Sequence, residues 1–135
     1  MAGRDNAQAL LTAAVRDLRA LRAMGDSEEF ADEVFGFHAQ QAAEKLLKAW
    51  LDHLGDEYPL THSLAVLSER LRVLGRGTAE ADEVVDYAPY ASDYRYGGTP
   101  DGEHVDRGLA VSRLERLLAC VEQALAQPVR ATAPD

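Results

Sequence analysis

The stretch Phe37-His38-Ala39-Gln40-Gln41-Ala42-Ala43-Glu44-Lys45-Leu46-Leu47-Lys48-Ala49-Trp50-Leu51-Asp52-His53-Leu54 decides the fold. It contains no glycine, no proline and no β-branched residue, and at 100° per residue it sorts into faces. Ala39, Ala43, Leu46, Leu47, Trp50 and Leu54 share one side. Upstream, Phe30, Val34 and Phe37 fall on the opposite side, which continues as Gln41, Glu44, Lys45 and Lys48. A helix apolar on two sides is central in its domain or also serves a subunit contact. The polar continuation is either a solvated face carrying a Glu44–Lys48 i,i+4 pair or a strip lining a groove. The pattern predicts a helix from Ser27, a suitable cap, to Leu54, closed by Gly55.

Working outward, four more helices are predicted. The first runs from Asn6 to Met24 behind Asp5, with Leu10, Leu11, Ala14, Val15, Leu18 and Leu21 inward and Gly25 as its stop. The third follows Thr61-His62-Ser63 and runs to Leu74, with Leu64, Leu67, Leu71 and Leu74 inward. The fourth, Ala79 to Tyr94, starts at Thr78, buries Val84, Ala88 and Ala91, and must kink or restart at Pro89. The last spans Asp101 to Ala126, with Ala110, Leu114, Leu117, Leu118, Val121 and Leu125 as its stripe. The expectation is an all-α protein, a five-helix antiparallel up-and-down bundle with a four-helix-bundle core. Residues 1–127 form a single domain and residues 128–135 a flexible tail.

Composition agrees. Ala and Leu supply 41 of 135 residues and Ile is absent, which favours helix over sheet. A hydrophobic fraction of 47% supports a core. The formal net charge of −9 disfavours nonspecific nucleic-acid binding. A single cysteine, Cys120, precludes an internal disulfide or a cysteine-cluster metal site. With no span-length apolar run and no signal-like start, the expectation is a cytoplasmic protein without membrane association.

The histidines His38, His53, His62 and His104 form no metal-binding or di-metal carboxylate motif, and no Gly-rich phosphate loop or nucleophile elbow is present. No metal and no cofactor is expected. Two places carry chemistry. In Tyr94-Arg95-Tyr96-Gly97-Gly98 the guanidinium can grip a phosphate while the rings stack on a base, or the group simply ends a helix. His62 either joins a site or caps the third helix.

At these residues the sequence resembles a family, the HEPN domains (higher eukaryotes and prokaryotes nucleotide-binding). Residues 37–49 resemble its signature helix; Gly55 with Thr61-His62-Ser63-Leu64 and Leu67 is similar to its Gly…Thr-His-x-Leu…Leu continuation. Tyr94-Arg95-Tyr96 stands where members carry Arg-Tyr, usually before a proline that is Gly97 here. The resemblance implies a homodimeric bundle, often paired with a separately encoded nucleotidyltransferase in two-component or toxin–antitoxin systems. Some members are metal-independent ribonucleases with four to six residues between an Arg and a His. Here eight residues separate Arg95 from His104, so that motif is not met.

The leading expectation is therefore a non-catalytic module that binds a nucleotide, a nucleotidyltransferase partner, or both, with Gln41, Glu44, Lys48, His62, Tyr94, Arg95 and Tyr96 facing one groove. The alternatives are a ribonuclease acting through Arg95 and His104, and a structural helical adaptor with no ligand.

Overall fold

A computed structural model of the chain describes residues 4–91 and 104–128. In chain order the elements are α1 (Arg4–Met24), α2 (Asp32–His53), α3 (Leu64–Val73), α4 (Ala79–Glu83), a 3-10 helix (Val84–Tyr90) and α5 (Arg107–Ala126). The protein is an all-α helical bundle, and the described residues contain no strand.

α2 is its axis and packs on α1, α3, the 3-10 helix and α5. Phe35, Ala39, Ala43, Leu46, Leu47 and Leu51 of α2 are fully buried, met by Leu18 and Leu21 of α1, Leu64, Leu67 and Leu71 of α3, and Leu114 and Leu117 of α5. The ends of α2 and α3 use one device. Gly55 and Gly75 sit at φ +76°, and the amides that follow, of Asp56 and Arg76, donate back to the carbonyls of Leu51 and Leu71. Only glycine adopts that backbone without strain, so both helices stop there. Ser63 caps α3 by accepting from the Val66 amide at 3.2 Å. Leu74, expected to face inward, is instead the C-cap residue of α3 and is exposed, because the helix ends before it.

Three helix starts differ from the sequence reading. α1 begins at Arg4 rather than at Asn6, so Asp5 lies within the helix and does not cap it. α2 starts at Asp32, not Ser27. The carbonyls of Gly25, Ser27 and Phe30 are drawn onto the guanidinium of Arg107, so the chain wraps that cation before the helix begins. Phe30 consequently lies outside α2 and is exposed. α5 starts at Arg107 rather than Asp101: Asp106 takes the cap position, accepting from the Leu109 amide, and His104–Asp106 precede the helix.

The fourth segment divides at Val84 into a short α-helix and a 3-10 helix. Pro89 lacks the amide that an α-helix would use there. Three residues per turn align Val84, Tyr87 and Tyr90 on one edge, and these three are buried. Ala88 and Ala91, expected to be buried, are only half-buried. The Tyr90 ring lies on Gly36 of α2, where a β-carbon would come within 2.3 Å of Cδ1.

Candidate functional site: a buried carboxylate on the central helix

Almost all of α2 is covered. Beyond Asp32 and Glu33 in its first turn, only Val34, Phe37, His38, Gln41, Lys45 and Lys48 reach solvent, and then only partly. Their spacing of three and four marks one narrow strip along the helix. At its C-terminal end the strip closes over Asp52, which is buried and accepts from Asn6 Nδ2 and, at 3.2 Å, from the Tyr58 hydroxyl.

Glu44 stands at the edge of this strip and is not solvated, as a polar face would be: the residue is 6% exposed. Its Oε2 accepts from Lys48 Nζ at 2.9 Å and its Oε1 from Gln40 Nε2 at 2.9 Å. His62, from the connection before α3, places Nδ1 at 3.1 and 2.9 Å from the two carboxylate oxygens. Gln40 is fully buried and also donates to the His62 carbonyl at 3.2 Å, so one side chain fixes both the carboxylate and the backbone that carries the imidazole. Gln41 joins by donating to Gln40 Oε1 at 2.8 Å. Burial raises the Glu44 pKa, but the bonds from Lys48, Gln40 and His62 outweigh it and leave the carboxyl below its ordinary value.

Of the residues singled out in the sequence, the structure thus joins Gln41, Glu44, Lys48 and His62 in one hydrogen-bonded cluster. Lys45 turns away to Asp17 of α1 at 2.7 Å, where His38 also approaches at 3.6 Å. Tyr94, Arg95 and Tyr96 lie outside the described residues. Sequence reasoning missed Gln40, which reads as one more position on an alanine-rich helix. Its burial shows only when α3 is folded against α2.

A second polar cluster sits at the other end of α2. Asp32 accepts from Arg107 Nη2 at 2.9 Å and lies 3.0 Å from His104 Nδ1. Arg107 also stacks 5.1 Å from the Phe35 ring centroid. Burial raises the Asp32 pKa and the bonds from His104 and Arg107 lower it, with a net reduction. Asp32 and Glu44 are separated by twelve residues of helix, about 18 Å along the axis. His104 and His62 therefore cannot serve one reacting atom within a single chain. No sequence motif marks this cluster, because most partners of Arg107 are backbone carbonyls. Among the described residues, no group of three or more histidine, cysteine or acidic side chains is placed to hold a metal ion.

A bundle packed around one central helix, with a buried carboxylate at the edge of that helix's accessible strip, is an all-α helical module. The model of the HEPN domain matches residues 7–129, nearly the whole chain, and the protein belongs to that family of nucleotide-binding helical modules. No curated protein and no solved structure matches the chain. Among the described residues, no helix is long and apolar enough to cross a membrane.

Proposed function

We propose that this protein is a non-catalytic HEPN module that binds a nucleotide at the Glu44 cluster and works as the homodimeric accessory component of a nucleotidyltransferase or toxin–antitoxin-like pair. The observation that carries the nucleotide half is Glu44. A buried carboxylate held by three side chains is expensive to build for stability alone, since apolar replacements of similar volume do as well or better. Here it orients a lysine and an exposed histidine toward the open strip of α2.

In this reading Lys48 and Arg95 meet the phosphates, Tyr94 or Tyr96 stacks on the base, and Gln41 and Glu44 orient the ligand.

Titration calorimetry with ATP tests the proposal. Binding in the wild type that is lost in Lys48→Ala and Arg95→Ala is the expected result. No heat at millimolar ATP removes the small-molecule half of the claim. Co-purification with the product of a neighbouring nucleotidyltransferase reading frame, and sedimentation as a dimer, test the partner half.

A further inference from the structure

A chain of formal net charge −9 repels its own copy at long range. A contact between copies must therefore lay free cations over free acids. Among the side chains described, the lysines and arginines are held by carboxylates with three exceptions, Arg16, Arg19 and Arg76. Lys45 and Lys48, the cations on the accessible strip of α2, are already neutralised by Asp17 and Glu44, so that strip does little to offset the repulsion.

Arg16 and Arg19 stand one turn apart on the outer face of α1. There Gln8, Thr12, Arg16, Arg19 and Ala23 recur at spacings of three and four, and all are exposed. The two arginines flank a groove between α1 and α5 whose floor is Leu11 and Val15. Glu122 of α5 lines the same groove and, among the described residues, forms an ion pair with neither. Free acids lie at the end of the same helix. Asp26, Glu28 and Glu29 follow Met24, are exposed, and form no ion pair among the described residues. Phe30 beside them is 40% exposed. Arg107 holds this segment from behind by taking the carbonyls of Ser27 and Phe30, so the acids are carried on a fixed backbone.

We infer that two copies pair antiparallel through α1, with Asp26, Glu28 and Glu29 of each copy lying over Arg16 and Arg19 of the other. The inference rests on the homodimer of the reading above and names its surface. Arg19 and Arg16 lie five and eight residues before Met24, about 8–12 Å from the helix end, and the acids lie just beyond that end. A two-fold axis near Ala23 therefore forms the same acid–arginine seam twice. It also brings each Phe30 toward the apolar floor of the other copy's groove. Ala23 is small, which lets the two helices approach where they cross. The apolar contact supplies attraction, and the paired seams fix orientation and reject the parallel arrangement.

Sedimentation equilibrium tests this with three forms of the full chain: the wild type, Arg16→Glu with Arg19→Glu, and Asp26→Lys with Glu28→Lys and Glu29→Lys. The wild type should dimerise, with a Kd that rises with salt between about 0.05 and 0.5 M. Each reversed form alone should dimerise at least about tenfold more weakly, because both of its seams then oppose like charges. An equimolar mixture of the two reversed forms should restore wild-type affinity, since both seams of the mixed dimer are again complementary. All the substituted positions are exposed, and circular dichroism of each form verifies its fold. A wild-type dimer whose Kd ignores salt, reversed forms that dimerise as tightly as the wild type, or a mixture no tighter than its components overturns the inference while leaving the homodimer intact. A dimer broken by Phe37→Glu and untouched by the reversals does the same and moves the contact to α2. A wild type that stays monomeric throughout overturns both.

Discussion

The contact between Gly36 and Tyr90 allows a prediction whose sign depends on background. A β-carbon at position 36 would lie 2.3, 2.5 and 2.7 Å from Cδ1, Cγ and Cε1 of Tyr90. Those atoms belong to the base of a ring on a 3-10 helix, so relief requires moving backbone as well as side chain. Overpacking of this severity costs about 3 kcal/mol, the upper part of the usual range. Against it, alanine inside a helix is about 1 kcal/mol better than glycine. Gly36→Ala should therefore destabilise the protein by about 2 kcal/mol. In a Tyr90→Ala background the obstruction is gone, and the same substitution should stabilise by about 1 kcal/mol. The coupling energy is then about 3 kcal/mol, far above the scatter for independent sites. Urea denaturation followed by circular dichroism on the four members of the cycle measures it. Stabilisation by Gly36→Ala in the wild-type background, or a coupling under about 0.5 kcal/mol, would refute the packing argument.

Other expectations follow from particular contacts. Arg107→Ala leaves Asp32 with only His104 and the Val105 amide and releases the carbonyls of Gly25, Ser27 and Phe30; a loss of about 3 kcal/mol is expected, seen as a drop of roughly 10 °C in Tm and faster amide exchange over residues 25–31. Ser63→Ala should remove about 1 kcal/mol by uncapping α3, with Ser63→Gly closer to wild type. Glu44 and Asp32 have folded-state pKa values below their ordinary ones, so the stability they give is present above about pH 4 and is lost as pH falls through the folded values. Glu44→Gln should accordingly flatten the acid limb of a stability–pH curve, and an unchanged limb would count against the cluster's electrostatics. Phe37→Glu, on the accessible strip of α2, should shift a dimer toward monomer in sedimentation if that strip is the subunit contact.

The parts of the fold legible in the sequence are those governed by a 3.6-residue period and by glycine stops. The inward stripes of α1, α3 and α5 lie mostly where the spacing puts them, and Gly25, Gly55 and Gly75 all adopt positive φ. Legibility ended where a distant side chain overrode local preference. Residues 27–31 read as helix, yet Arg107, some eighty positions on, holds their carbonyls. Tyr87 and Tyr90 fall off the inward face of a 3.6-residue period, but the segment winds at three residues per turn and buries both. In the candidate site, the pairing of Glu44 with Lys48 was visible as i,i+4 spacing. Its burial and its bond to His62 depend on how α3 docks, which no local pattern encodes. The resemblance carried by residues 37–49 and 61–64 reached further than any of these readings, and the family match over residues 7–129 agrees with it.

The open strip beside Glu44 is not bare of charge, because Lys48 already has a counterion built into the helix. An anion arriving there would not meet a lone positive charge; it would share an ammonium that an internal acid keeps half-neutralised. That arrangement balances the lysine within the chain itself and limits the attraction any stray anion feels. Under the proposed nucleotide reading, retention would then call for a ligand that engages Lys48 and His62 together, so discrimination would come from several matching groups at once rather than from raw positive charge.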